Sequence, residues 1–122
     1  MARKRAVLPL SIQPRFRVYR DKEIVLGPGK ADLLTLIAET GSLSEAARRM
    51  GMSYNRAWLH VKAMNAGFAE PVVTLARGGA SGGGAVLTAT GQQALELYRR
   101  LEERARAATL QEQKALEDML KS

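Results

Sequence analysis

Residues 41–58, GSLSEAARRMGMSYNRAW, decide the fold of this chain of 122 residues. Ser42 and Glu45 have the spacing of a capping box, in which the serine side chain accepts from the Glu45 amide and the glutamate reaches back. The spacing predicts a helix from this box to about Met50, ended by Gly51. The side chains expected to face inward are Leu43, Ala46, Ala47 and Met50.

Another helix is predicted directly after a short corner. Ser53 is a favourable N-cap, and the helix is expected to end between residues 65 and 67. Trp58 lies beside its core stripe, so packing is favoured over base stacking as its role. The stripe, at i, i+4 and i+7, is Ala57, Val61 and Met64. The side chains on its other faces are Tyr54, Asn55, Arg56, Leu59, His60 and Lys62. Two short helices around a tight turn indicate a helix-turn-helix.

The first turn of this later helix carries side chains that form hydrogen bonds, and it carries no acid. In a helix-turn-helix this turn enters the major groove of DNA, where Asn can read adenine and Arg can read guanine. The residues expected at base edges are Tyr54, Asn55 and Arg56. Those expected at phosphates are Ser44, Ser53, Lys62 and Arg77.

The segment before the motif predicts an arm, a ribbon and a first helix. Residues 1–14 are expected to form a flexible basic arm that follows a minor groove or raises nonspecific affinity. Phe16 and Val18 alternate with Arg15, Arg17 and Tyr19, residues 21–22 can turn, and residues 24–26 can pair back, which predicts a two-stranded ribbon. Gly27-Pro28-Gly29 is expected to break the chain. The first helix is then predicted from about Lys30 to Thr40, with Gly41 as its cap.

The segment after the motif predicts a hairpin with a glycine-rich tip. Residues 71–77 and 85–88 are predicted strands, and residues 78–84 between them include five glycines in seven. Directly after a helix-turn-helix, such a hairpin is expected to be a wing whose backbone approaches phosphates or the minor groove. Arg77 at its base and Ser81 at its tip are expected to contact DNA.

A long helix is predicted from a capping box at Thr90 to about Leu120. It has more apolar positions than the rest of the chain can cover, which favours a homodimer over a monomer with the helix folded back. The residues expected at the dimer contact are Leu97, Tyr98, Leu101, Ala105 and Leu116. The expected fold class is mainly α with small β hairpins. Its expected parts are a flexible basic arm (1–14), a winged helix-turn-helix DNA-binding domain (15–90) and a long dimerisation helix (91–122).

The charge distribution predicts a polyanionic partner, namely double-stranded DNA. The chain has 19 basic and 12 acidic residues and a net charge of +7. Residues 1–20 and 46–69 contain no acid, whereas residues 93–122 balance six bases against six acids. There is no cysteine, no apolar run that could cross a bilayer and no secretory signal, so a cytoplasmic protein without a membrane partner is expected.

Several segments resemble ModE-type molybdate-responsive regulators. GSLSEAA (41–47) and MSYNRAW (52–58) are similar to their helix-turn-helix, and GGGAVLT (82–88) is similar to their wing. The general Gly-Ser-x-x-x-Ala-Ala pattern is shared with LysR-type regulators. The resemblance covers about residues 16–110 and implies a winged helix-turn-helix on a long dimerisation helix, with operator DNA as the ligand.

The resemblance does not extend to molybdate sensing. Full-length ModE-type regulators carry molybdate-binding domains after the long helix, and this chain, which ends at Ser122, is expected to lack them. The signal then comes from a separate sensor protein, or it differs, or there is none.

These patterns predict a sequence-specific transcriptional regulator that binds a pseudo-palindromic operator as a homodimer. Two alternatives stay open: a sequence-neutral architectural DNA-binding protein, and a protein-binding adaptor with a winged-helix fold. An enzyme is disfavoured, because no serine–histidine–acid set is evident and residues 78–84 lack the lysine of a P-loop. His60 is the only histidine, so neither a metal site nor another cofactor is expected.

Overall fold

The computed structural model describes residues 12–76 and 84–121. The described part is mainly helical with two small antiparallel sheets, which confirms the predicted fold class. Residues 1–11 of the predicted arm and residues 77–83 of the predicted wing, including Arg77 and Ser81, lie outside the described residues. The elements in chain order are β1 (Val18–Arg20), β2 (Glu23–Leu26), α1 (Pro28–Thr40), α2 (Leu43–Met50), α3 (Tyr54–Gly67), β3 (Val73–Leu75), β4 (Ala85–Leu87), α4 (Ala89–Ala108) and α5 (Leu110–Asp118).

The first helix begins earlier than its composition suggests. Gly27 is the N-cap of α1 and Pro28 is its first residue, so the prediction of a break that lasted to Lys30 is wrong. Proline suits the first helical position because its missing N–H would have no partner within the helix. At the other end Gly41 adopts φ 68° and donates its N–H to the Ile37 carbonyl, as predicted for a left-handed cap.

Only half of the predicted capping box forms at α2. The Ser42 hydroxyl accepts from the Glu45 amide at 3.0 Å, as expected. The Ser42 N–H instead donates to the Thr40 hydroxyl at 3.1 Å. The Glu45 carboxylate bonds Arg48 and Arg49, one turn further along. Hydrogen bonds from these two charged donors to the carboxylate are stronger than the expected bond from the uncharged Ser42 N–H.

One core joins the three helices to both strands of the wing. The inward faces predicted for α2 and α3 are confirmed, except that Met50 is only partly buried. Trp58 is also partly buried and packs against this core, as predicted. The core residues from α1, α2 and α3 are Ala31, Leu33, Leu34, Ile37, Leu43, Ala46, Ala47, Ala57, Val61 and Met64. Those that follow α3 are Val72, Val73, Ala85, Leu87 and Tyr98.

The wing strands are shorter than predicted but lie in the expected place. β3 pairs with β4 in the register Val73–Leu87, Thr74–Val86 and Leu75–Ala85. The Ala85 N–H donates to the Gly41 carbonyl at 3.0 Å. The base of the wing is thereby bonded to the corner between α1 and α2.

The start of α4 differs from the prediction by two residues. Thr88, rather than Thr90, is the N-cap, and its hydroxyl accepts from the Gly91 amide at 3.0 Å. The same hydroxyl donates to the Pro71 carbonyl at 2.6 Å. This bond to the strand segment before β3 favours Thr88 as the cap. Gly91 packs so closely that an added Cβ would lie 2.1 Å from the Val72 carbonyl oxygen.

The predicted single long helix is interrupted at Thr109, which has φ −117° and ψ 23°. The Thr109 hydroxyl donates to the Ala105 carbonyl at 2.6 Å, and the Gln113 side-chain amide donates to the Arg106 carbonyl at 2.8 Å. Such bonds from side chains to helix carbonyls compete with regular helical bonding. The prediction of an uninterrupted helix to Leu120 is therefore wrong.

Candidate nucleic-acid interface

The corner between α2 and α3 presents the first turn of α3 to solvent. Gly51 ends α2 with φ 71°, a left-handed conformation that glycine adopts without steric cost. The Ser53 hydroxyl then accepts from the Arg56 amide at 3.1 Å and caps α3. Tyr54, Asn55 and Arg56 follow, and all three are exposed. The residues predicted for base reading thus lie together on one accessible turn.

The outer face of α3 continues this surface along the helix. Its exposed residues lie opposite the core stripe and are Asn55, Leu59, Lys62, Ala63 and Ala66. The Lys62 ammonium lies 5.0 Å from the centroid of the Trp58 ring, within the range of a cation–π contact. This contact holds a positive charge beside the outer face, where it can meet a phosphate.

The exposed edge of α2 carries a small charge network. Ser44 and Arg48 are exposed one turn apart. Hydrogen bonds from Arg48 and Arg49 lower the pKa of Glu45 to about 2. Glu45 therefore stays ionised and offsets one of the two positive charges. The acid-free stretch noted in the sequence begins at residue 46 and so leaves out Glu45. The i, i+3 and i, i+4 spacings of Glu45 to the two arginines are the signal that indicates this pairing.

Asn65 positions the wing relative to α3. Its side-chain oxygen accepts from the Val72 amide at 2.7 Å and from the Val73 amide at 3.2 Å. Its side-chain nitrogen donates to the Val73 carbonyl at 2.9 Å. Sequence reasoning does not single out Asn65, because no local pattern shows that its partners lie seven and eight positions away.

His60 lies at the side of α3 and is partly buried. Burial, with the nearby charges of Lys30 and Arg56, lowers its pKa, which favours the neutral imidazole at neutral pH. Among the described residues, no group of three His, Cys, Asp or Glu side chains could hold a metal ion. None of the helices described is both long and apolar enough to cross a membrane.

The residues predicted for dimer contact differ in accessibility. Leu97, Leu101 and Leu116 are exposed, and Ala105 is partly buried. Tyr98 is only 2% exposed, and its hydroxyl donates to the Phe16 carbonyl at 2.7 Å. Tyr98 therefore belongs to the core of this chain, which leaves little of its side chain for contact with a second copy. Its ring follows the same helical spacing as the leucines, but it packs inward.

Comparison with known proteins gives a family match and several relatives. The model of the family described as "Bacterial regulatory helix-turn-helix protein, lysR family" matches residues 30–92. The molybdenum-pterin-binding protein MopB of Rhodobacter capsulatus is 49% identical over 77 residues, covering 63% of this chain and 28% of that protein. The DNA-binding transcriptional dual regulator ModE of Escherichia coli strain K12 is 40% identical over 77 residues, covering 63% and 29%. The chain thus spans under a third of the length of these two relatives.

A solved structure has a similar fold. The crystal structure of the CbnR_DBD-DNA complex matches with a TM-score of 0.56 and 26% identity, covering 72% of this chain and 95% of that chain. The family match spans more than half of the 122 residues and includes α2, α3 and both wing strands. The chain therefore belongs to the bacterial regulatory helix-turn-helix proteins of the lysR family.

Proposed function

We propose that this chain is a sequence-specific DNA-binding regulator of transcription. The observation that carries the proposal is the exposed, acid-free first turn of α3, projected by Gly51 and capped by Ser53. Such a turn fits the major groove of DNA, where polar side chains meet base edges. The similar CbnR domain was solved in a complex with DNA, and ModE is described as a DNA-binding regulator, which supports the same partner here.

The proposed division of contacts follows the chemistry of the side chains and their positions along the chain. Asn55 and Arg56 read adenine and guanine, and Tyr54 lies beside them on the same turn. A bidentate contact of this kind contributes about 1–3 kcal/mol of discrimination against the wrong base. The proposed phosphate contacts are Ser44, Ser53, Lys62 and Arg77, with Ser81 at the wing. Phosphate contacts set position and affinity but carry no direct sequence information.

The proposed assembly is a homodimer. Leu97 and Leu101 on α4 are 51% and 43% exposed, and Ala105 continues their line one turn further. Pairing along this line removes two leucines from water in each protomer. Two copies of α3 then meet successive major grooves about 34 Å apart. We accordingly assign residues 15–90 to DNA contact and residues 91–122, with Leu116 after the break, to dimerisation.

The test is selection from a random duplex library at about 150 mM salt, followed by anisotropy titration of the enriched sequences. An enriched inverted repeat supports a dimeric sequence-specific regulator. Binding with a steep salt dependence and no enrichment contradicts it in favour of an architectural protein, and no binding favours a protein-binding adaptor. A parallel titration with molybdate tests whether this chain responds to the oxyanion, since relatives are named for molybdenum.

A further inference from the structure

Leu59 occupies an unusual place on α3. It lies two residues from Ala57 and two from Val61, which are both buried, so its side chain lies on the opposite face of the helix. Its side chain is 50% exposed, whereas Leu33, Leu34 and Leu43 are at most 1% exposed. Leu59 therefore contributes little to the core of its own domain.

The neighbours of Leu59 on the outer face of α3 are polar or small. Asn55 lies one turn before it, Ala63 lies one turn after it, and Arg56 and Lys62 are three residues away on either side. All four are exposed. This surface is a single apolar side chain within a basic, hydrogen-bonding face, rather than a broad apolar patch. Its chemistry fits nucleic acid better than the apolar surface of a protein.

The major groove offers one apolar group that matches such a side chain. Thymine carries a C5-methyl group there, whereas cytosine carries only a hydrogen at the same carbon and the purines present hydrogen-bonding edges. An apolar side chain that covers this methyl group removes both from water. Leucine cannot satisfy a base-edge donor or acceptor, so it disfavours the polar edges that it would cover.

Resting on the proposed function, we propose that Leu59 is a specificity-determining residue that reads the methyl group of a thymine. Four residues of helix advance about 6 Å along the axis, and base pairs are about 3.4 Å apart. The thymine therefore lies within about two base pairs of the base that Asn55 reads. The apolar contact of Leu59 adds to the hydrogen bonds of Asn55 and Arg56 on the same face.

The experiment removes the methyl group and the side chain separately. In the selected operator, each thymine is replaced in turn by deoxyuridine, which differs only by that methyl group. Dissociation constants are measured for the wild-type chain and for Leu59→Ala. Burial of one such group contributes about 0.8 kcal/mol, so we expect about a fourfold loss per half-site at one thymine. The loss should disappear in Leu59→Ala and persist in Leu59→Met, whose side chain stays apolar and similar in size.

A matched control is Leu110→Ala, which makes the same truncation at an exposed leucine of α5. The control compares the ratio of the dissociation constants for the deoxyuridine and thymine operators, not the overall affinity. This ratio should be the same for Leu110→Ala as for the wild-type chain. If the ratio of dissociation constants for the deoxyuridine and thymine operators is the same in wild-type and Leu59→Ala chains at every thymine, Leu59 does not read a methyl group. The inference then fails, and the proposed function stands. If no operator is enriched, the proposed function fails, and this inference fails with it.

Discussion

The side-chain amide of Asn65, in the last turns of α3, bonds both backbone groups of Val73 at the start of β3. It donates to the Val73 carbonyl at 2.9 Å and accepts from the Val73 N–H at 3.2 Å. The same oxygen accepts from the Val72 N–H. One side chain therefore fixes where the wing leaves the helix that precedes it.

Asn65→Ala should destabilise the fold, because three backbone bonds lose their partner. Leaving buried backbone groups unsatisfied costs about 1–3 kcal/mol each when water cannot replace the bond, and the partial exposure of this site places the total near the lower end. Urea denaturation measures the change in the free energy of unfolding. Asn55→Ala, at an exposed asparagine of the same helix, is the control and should unfold like the wild type. Equal stability of both variants would contradict this role.

Asn55→Ala should weaken binding to the selected operator more than binding to random DNA. A lost bidentate contact lowers discrimination by about 1–3 kcal/mol, or about 5- to 150-fold. The measurement is the ratio of the two dissociation constants at one salt concentration. Lys62→Ala should weaken both by a similar factor and reduce the salt dependence, because a phosphate contact is independent of sequence. Equal losses for Asn55→Ala on both DNAs would count against base reading.

Gly91→Ala should destabilise the protein, and Gly29→Ala should not. The added Cβ at Gly91 would lie 2.1 Å from the Val72 carbonyl oxygen, so the backbone must move, at a cost of about 1–3 kcal/mol. At Gly29, within the first turn of α1, an added Cβ meets nothing within 4 Å. Alanine there should stabilise the helix by up to about 1 kcal/mol. Thermal unfolding should show the two midpoints moving in opposite directions, and a parallel shift would refute the packing argument.

Leu101→Glu should dissociate the proposed homodimer, because it places a charge in a surface that pairing would remove from water. Tyr98→Phe is the contrasting variant: it deletes only the hydroxyl that bonds the Phe16 carbonyl. It should lower the free energy of unfolding by about 1 kcal/mol without changing the dimerisation constant. Sedimentation equilibrium at micromolar concentration distinguishes the two. A wild-type chain that is monomeric there would overturn the dimer.

The pairing of Glu45 with Arg48 and Arg49 should appear in the pH dependence of stability. The pKa of Glu45 falls from 4.5 to about 2 on folding. The contribution of this carboxylate is therefore complete above pH 4.5 and is lost as the pH falls towards 2. Glu45→Gln should show a smaller loss of stability across this window than the wild type. Glu39→Gln, at an exposed glutamate of α1, controls for the change in net charge, and identical slopes for all three would exclude the effect.

Local signals predicted much of the DNA-facing half. Ser42 and Ser53 cap α2 and α3, and Gly41 and Gly51 end α1 and α2, as expected, because each signal depends on residues within one turn. Two of the failures involve distant partners. Thr88 replaces Thr90 as a cap through a bond to Pro71, and Tyr98 turns inward to a carbonyl 82 residues away. The break at Thr109 was missed because threonine and glutamine are tolerated within helices and their bonds to carbonyls leave no distinct sequence pattern.

The bond between the Ala85 N–H and the Gly41 carbonyl has a consequence for how the domain opens. Gly41 also closes α1 through its own N–H to Ile37, so detaching β4 removes a partner from the residue that ends α1. Amide protons on both sides of this corner should then exchange with solvent in one cooperative opening rather than independently. A domain with such a shared corner can transmit strain from its wing to its first helix without any change in α2 and α3, the two helices that lie between them in sequence.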